Sequence, residues 1–321
     1  FDACTKKKVE EKGESVRVYD KLFVRHWDTW EDGLRSHVLS VDVKTGKATD
    51  LTPGDFDVPP YAGPDDFDVA PDGSEVAFGR NEDKEESTST NAELFTVPST
   101  GGAAKKFGAN PGFDGLPRYS PDGSMIAYHA QMRAGFEADR WRLMVYDRRT
   151  GATRNLTEPF DRNVDEIAWS PDSKTIYFTA GDGPQNPLFA IPAAGGSPRK
   201  VADGHLTQLS ISKDGLKAVM AQDSLRKPAD VVTVDLATGK ITRLTETNDA
   251  ALANFALLPS ESVSYAGALG KPVQAWITKP ANFDASKKYP LLVIVHGGPQ
   301  SVFADAWSYR WNPQVFAGAG F

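Results

Sequence analysis

Five consecutive aliphatic residues, Leu291 to Val295, run straight into His296-Gly297-Gly298-Pro299. An unbroken apolar run of this length reads as a strand buried on both faces, as in a parallel sheet. Two glycines directly after it let the backbone come close to a ligand with no Cβ in the way. Backbone N–H groups held there can stabilise the negative charge that an acyl-transfer transition state places on oxygen. Gly298 and Gly297 are therefore the candidate oxyanion-hole donors. The nucleophile does not appear: no Gly-x-Ser-x-Gly, the strained turn that exposes a reactive serine, occurs between Phe1 and Phe321.

A second group could bind a cation. Two strand-like runs, Met125 to Gln131 and Leu143 to Tyr146, are joined by the ten residues Met132 to Trp141. The equivalent joint further on, Asp182 to Asn186, has five. Long loops on a rigid scaffold often carry function. This one holds Glu137 and Asp139, whose carboxylates could accept charge-assisted hydrogen bonds from an ammonium. Arg133 and Arg140 flank them, so a surface salt-bridge cluster is the competing reading. The run Glu82-Asp83-Lys84-Glu85-Glu86, followed by Ser87 to Thr90, occupies the matching joint one repeat earlier and reads as a solvated loop.

Composition narrows the classes. The chain has 321 residues, enough for about two domains, with 40% hydrophobic and 25% charged residues. The net charge of −7, from 36 basic and 43 acidic residues, argues against a nucleic-acid surface. One cysteine, Cys4, excludes an internal disulfide and a cysteine-based zinc site. The five histidines (His26, His37, His129, His205, His296) form no His-Glu-x-x-His. No metal or other cofactor is implied. The longest aliphatic run is far short of the roughly 20 residues that span a bilayer. The start, Phe1-Asp2-Ala3-Cys4, has neither the basic nor the apolar region of a signal peptide.

The elements that must position these residues are read from two interleaved turn series. Pro71-Asp72-Gly73, Pro121-Asp122-Gly123, Pro171-Asp172-Ser173 and Lys213-Asp214-Gly215 recur at spacings of 50, 50 and 42 residues. Proline sets φ for a tight turn and glycine accepts positive φ. Each turn lies between short strand-like runs, as Ile167 to Trp169 and Thr175 to Phe178 show. The second series is Thr45-Gly46, Gly101-Gly102, Thr150-Gly151, Gly195-Gly196 and Thr238-Gly239. Several members lead into a closing pair: Leu51-Thr52, Leu156-Thr157, Leu244-Thr245. One period therefore holds two hairpins, and four strands in 40–50 residues is a β-propeller blade. A β-sandwich would not phase two turn types in this way. Three blades are well marked, a fourth more weakly, and a partial one precedes Asp50. Trp27, Trp30 and Trp169 are expected to pack between blades.

The period fails from about Ala250. Val273 to Ile277 alternates like a strand, Ala281 to Tyr289 is a polar loop, and Leu291 to Val295 is the expected buried strand. Asn312-Pro313 reads as an N-cap with proline at the first helical position, opening a helix that stops near Gly318. Strand, loop and helix in succession make an α/β unit. The fold class is thus mainly β: a partial propeller over 1–250, with blades missing upstream, then the beginning of an α/β-hydrolase domain over 251–321.

Tyr119-Ser120-Pro121-Asp122-Gly123, Trp169-Ser170-Pro171-Asp172 and Val295-His296-Gly297-Gly298-Pro299 together resemble the prolyl oligopeptidase family of serine peptidases. Arg25-His26-Trp27-Asp28-Thr29-Trp30 and Gly135-Phe136-Glu137-Ala138-Asp139-Arg140 are most similar to its dipeptidyl-peptidase 5 and acylaminoacyl-peptidase branch. The resemblance covers essentially the whole chain. The Pro-Asp-Gly repeat alone is shared with non-enzymatic propellers of periplasmic transport systems; its union with HGGP is what points to the peptidases.

The resemblance implies a propeller that filters short peptides onto a Ser-Asp-His site. It makes Gly298 the preferred oxyanion donor and His296 a brace for its loop. A dipeptidyl peptidase must also hold a free α-ammonium two residues from the scissile bond, the role that Glu137 or Asp139 would fill. The triad Ser, Asp and His are absent here, so the chain is expected to be an inactive piece of a longer exopeptidase. Its implied partners are a short peptide, the remainder of that parent chain and, optionally, further copies of itself. The alternatives are an acylaminoacyl peptidase or esterase of the same architecture and a non-enzymatic binding propeller.

Overall fold

The computed structural model describes residues 19, 22–60, 66–84, 86–108, 110–298 and 300–321. Cys4, Glu85 and Pro299 lie outside them. Two short hairpins come first: β1 (Arg25–His26) with β2 (Thr29–Trp30), then β3 (Leu39–Val41) with β4 (Ala48–Asp50). Four antiparallel sheets of four strands follow. The first holds β5 (Phe67–Val69), β6 (Glu75–Arg80), β7 (Glu93–Pro98) and β8 (Lys105–Phe107). The second holds β9 (Asp114–Tyr119), β10 (Met125–Ala130), β11 (Arg142–Asp147) and β12 (Thr153–Asn155). The third holds β13 (Ile167–Trp169), β14 (Thr175–Thr179), β15 (Leu188–Pro192) and β16 (Arg199–Ala202). The fourth holds β17 (His205–Ile211), β18 (Lys217–Ser224), β19 (Lys227–Asp235) and β20 (Ile241–Arg243). Neighbours in sequence are neighbours in every sheet. The fourth blade is complete although its first turn lacks the proline.

Each repeated motif has a mechanical role. Asp72, Asp122, Asp172 and Asp214 accept the N–H two residues on, at 3.0, 3.0, 3.1 and 3.0 Å. These are Asx turns that close the first hairpin of a blade. Asp42, Asp147 and Asp235 accept the N–H groups of Thr45, Thr150 and Thr238 at 2.8 Å, closing the second. The closing Leu-Thr pairs lend a hydroxyl: Thr52, Thr157 and Thr245 accept the N–H groups of Val38, Leu143 and Val231.

The blades pack through their first strands, β5 on β9, β9 on β13 and β13 on β17. The core therefore lies between sheets. Ile126 and Tyr128 of one blade meet Ala77 and Leu94 of the one before, and Leu143 and Val145 meet Ile176 and Phe178 of the one after. Polar staples cross the same seams. Asp68 accepts the N–H of Tyr119 at 2.7 Å, Asp122 N–H donates to Ser173 Oγ at 3.1 Å, and Trp169 Nε1 donates to the Arg118 carbonyl at 2.9 Å.

Three expectations are corrected. Trp169 is buried between blades, but Trp27 and Trp30 are 81% and 55% exposed. They sit on a two-stranded hairpin that no second sheet covers among the described residues. Leu291 to Val295 forms no strand, and Leu291, Val293 and Val295 are exposed. A strand of a parallel sheet takes its hydrogen bonds from flanking strands, and none of the described residues supplies one. Finally, Ser87 to Thr90 are not merely solvated, as shown below. The tail otherwise holds the strand and helix read from sequence, β22 (Pro272–Ile277) and α2 (Pro313–Gly318), and adds two elements not foreseen: α1 (Asp249–Leu252) and β21 (Glu261–Ala266), which pairs with β22. Asn312 Oδ1 caps α2 by accepting the Gln314 N–H at 2.9 Å.

Candidate functional site

A cleft of about 1130 Å³ opens over the second blade. Glu137, Gly135 and Gln131 line it from the β10–β11 loop and its root, and Ser87 to Thr90 reach it from the β6–β7 loop. The acidic part of that earlier loop, Glu82 to Lys84, is exposed. Phe113, Leu116, His129 and Trp141 form an apolar wall, and Arg25, His26 and Trp27 approach from the first hairpin.

The long loop is held from its root. Gln131 is buried, and its Nε2 donates to the Glu137 carbonyl at 2.9 Å and the Asp139 carbonyl at 2.7 Å. The Asp139 carboxylate turns into the loop, where Oδ2 accepts the N–H groups of Met132 and Arg133 at 2.7 and 3.0 Å and pairs with Arg142 at 3.3 Å. Burial pushes its carboxyl up, but those N–H groups, that of Arg140 and the Arg142 charge outweigh burial and hold it below the usual range. Asp139 therefore braces the loop and does not line the cleft. Glu137 is exposed at the cleft wall, and its carboxylate has no partner among the described residues. The flanking arginines are engaged elsewhere. Arg133 lies over the Phe136 ring at 4.1 Å, and Arg140 donates to the carbonyls of Phe160 and Glu158. The pair read from sequence thus divides into a brace and a free carboxylate.

A second carboxylate borders the cleft. Asp66 accepts the N–H of Leu116, a residue held at φ +54°. A Cβ on Gly79 would lie 2.5 Å from Asp66 Oδ2 and one on Gly115 3.0 Å from Oδ1, so both glycines make room for it. Burial, only partly offset by the Leu116 N–H, pushes its carboxyl up to about 6. Nothing in the turn pattern distinguished Asp66; glycine at 79 and 115, inside strands, was the available signal.

The His-Gly-Gly turn borders a separate cleft of about 510 Å³, with Leu292, Val295, Phe303, Trp311 and Phe316. Gly298 has φ +136°, and a Cβ there would meet the Gln300 backbone nitrogen at 2.6 Å. Neither Gly297 N–H nor Gly298 N–H has an acceptor among the described residues. His296 Nδ1 lies 2.8 Å from the Gly297 carbonyl oxygen.

Topology relates the two places. In blades of equal strand order, the connections between second and third strands emerge on one face. The Glu137 loop is that connection in the second blade; Ala180–Pro187 and Leu225–Arg226 are its counterparts in the third and fourth. The tail docks on these counterparts. Asp305 N–H donates to the Pro184 carbonyl at 2.7 Å, and the Asp305 carboxylate accepts from Leu225 N–H and Gln185 Nε2. Trp307 N–H donates to Asp223 at 2.8 Å. The segment just after the His-Gly-Gly turn therefore lies on the propeller face that carries Glu137.

Consecutive four-stranded antiparallel blades, closed by Asx turns and packed through their first strands, define a β-propeller. The chain belongs to the TolB β-propeller domain family (PD40), whose model matches residues 68–256. It is 31% identical to dipeptidyl-peptidase 5 of Porphyromonas gingivalis over 314 residues, 95% of this chain and 46% of that protein. It is 34% identical to dipeptidyl-peptidase 5 of Porphyromonas endodontalis over 317 residues, 96% of this chain and 46% of that one. In fold it matches the acylaminoacyl peptidase of Pyrococcus horikoshii with a TM-score of 0.71 at 15% identity, over 96% of this chain and 46% of that one. The likeness to the prolyl oligopeptidase family, drawn above from Pro-Asp-Gly and HGGP, and to its dipeptidyl-peptidase 5 and acylaminoacyl-peptidase branch, drawn from Arg25 to Trp30 and Gly135 to Arg140, holds over nearly the whole chain. The chain spans about half the length of the curated relatives it matches.

Proposed function

We propose that this chain is the propeller, together with the opening of an α/β-hydrolase domain over 251–321, of a serine exopeptidase that removes dipeptides from free amino termini. The hydrolase part forms an acyl-enzyme, Gly298 and Gly297 hold the oxyanion, and the propeller admits only short peptides. Glu137 takes the α-ammonium and so sets the cut two residues in. The reading rests above all on one observation: an unpartnered carboxylate in the cleft of the face on which Asp305 docks. The names of the relatives agree with it. Residues 1–321 contain no Gly-x-Ser-x-Gly, so on this reading the nucleophile belongs to another part of the parent and these residues alone should form no acyl-enzyme.

Glu137→Gln in the full-length protein tests the anchor, because it keeps the size and removes the charge. Binding of free dipeptidyl substrates should weaken by about 1.5–3 kcal/mol, the range for a hydrogen bond to a charged group. N-acylated substrates carry no ammonium and should be scarcely affected. Equal losses on both would remove the anchor role. Faster turnover of N-acylated substrates by the unmodified protein would instead make it an acylaminoacyl hydrolase. Fluorophosphonate labelling of a serine within 1–321 would overturn the assignment of the nucleophile to another part of the parent.

A further inference from the structure

Three rings of one blade face the cleft beside Glu137. Trp141 stacks on His129 with centroids 4.2 Å apart and planes 25° apart, and meets Phe113 edge-on at 5.2 Å. All three are half-buried: part of each packs on the blade and part is open to the cleft. They are fixed before any ligand arrives. Trp141 N–H donates to Asn163 Oδ1 at 3.0 Å, the Phe113 carbonyl accepts the Gln131 N–H at 2.8 Å, and His129 stands in β10 opposite Leu143. Gln131, which holds the Glu137 carbonyl, thus also holds Phe113. Anchor and wall are parts of one braced unit, and a preformed wall loses little entropy on binding.

We propose that Phe113, His129 and Trp141 form the subsite for the first side chain of the peptide and select a bulky apolar residue there, an aromatic one most strongly. This rests on the reading of Glu137 as the ammonium anchor, since ammonium and first side chain leave the same Cα. A side chain laid on this wall buries apolar surface, and an aromatic one also gains ring–ring contact. Burial pushes the His129 imidazole down to about 4, so the wall is uncharged at neutral pH and does not repel the ammonium beside it.

The test uses kcat/KM of the full-length protein on chromogenic dipeptides Phe-Ala, Leu-Ala and Gly-Ala. The unmodified enzyme should prefer Phe-Ala to Gly-Ala by about tenfold or more, the scale on which apolar pockets discriminate. Trp141→Ala should collapse that ratio, and Trp141→Phe should retain most of it. Phe113→Leu reads the same ratio should Trp141→Ala fail to fold. Glu137→Gln should lower all three rates together and leave the ratio intact. A ratio near one in the unmodified enzyme, or one that survives both Trp141→Ala and Phe113→Leu, overturns the subsite. A ratio that follows Trp141 while Glu137→Gln changes nothing retains the wall and removes the anchor.

Discussion

The Asp305 carboxylate accepts the backbone N–H of Leu225 at 2.9 Å, across 80 positions of sequence. Its other oxygen takes Gln185 Nε2 at 3.2 Å. One side chain therefore ties the segment after the His-Gly-Gly turn to two consecutive blades. Asp305→Ala should destabilise the protein by about 1–3 kcal/mol, because it strands a partly buried N–H. Hydrogen exchange should rise together at 223–226 and 305–314. Unchanged exchange at 223–226 would show that other contacts dock the tail.

Thr157 tests the blade-closing motif. It is 1% exposed, and its Oγ1 accepts the Leu143 N–H at 2.8 Å. Thr157→Val keeps the shape and orphans that N–H, so it should cost about 1–3 kcal/mol in denaturant unfolding. Thr45→Val removes no such buried acceptor and should cost less than half as much.

How much was legible follows from where each signal resides. Asx turns and Leu-Thr pairs are local, so a period of two hairpins showed in the chain, and the blades follow it even where proline is lacking at Lys213. Loop length is also local, and it singled out the loop whose Glu137 lines the cleft. What divides Glu137 from Asp139 is the folded shape of the loop, which spacing does not show: it turns the Asp139 carboxylate onto the N–H groups of Met132 and Arg133 and onto Arg142. The wall of Phe113, His129 and Trp141 comes from three elements of one sheet, and no spacing rule unites them. Leu291 to Val295 was misread for a related reason. Hydrophobicity reports what a segment can bury, while a strand also needs neighbours. The exposure of Trp27 and Trp30 repeats that lesson.

Asp114 should give the protein a pH-dependent weakness. It is fully buried at the head of β9; Oδ1 accepts from Asn110 at 2.7 Å, and Oδ2 has no partner among the described residues. Burial first, and the nearby Glu93 charge, push its carboxyl up to about 8, against the Asn110 hydrogen bond. The folded state thus keeps a proton that the unfolded chain releases near pH 4. Its contribution is complete below that pH and is lost as pH rises toward 8. Asp114→Asn should remove this slope and raise stability at pH 8 by about 1–3 kcal/mol, with little effect at pH 4. Unfolding curves at the two pH values decide it; a parallel shift at both would exclude titration of Asp114.

The two glycines of the turn should not be equivalent. A Cβ on Gly297 would touch nothing within 4 Å, whereas one on Gly298 would strike the backbone of Gln300 at 2.6 Å, from φ +136°. Gly298→Ala must therefore move the backbone that carries the proposed oxyanion donor, and Gly297→Ala need not. Donors of this kind act on the transition state more than on bound substrate. In the full-length protein, Gly298→Ala should lower kcat by about 10²-fold or more, the loss seen when one such donor is removed, with KM little changed. Gly297→Ala should lose about tenfold or less on the same scale. Thermal unfolding of both variants separates a displaced donor from a damaged fold. Equal kcat losses with equal stabilities would mean that the close approach at Gly298 has no part in the chemistry, and a rise in KM alone would place the turn in substrate binding.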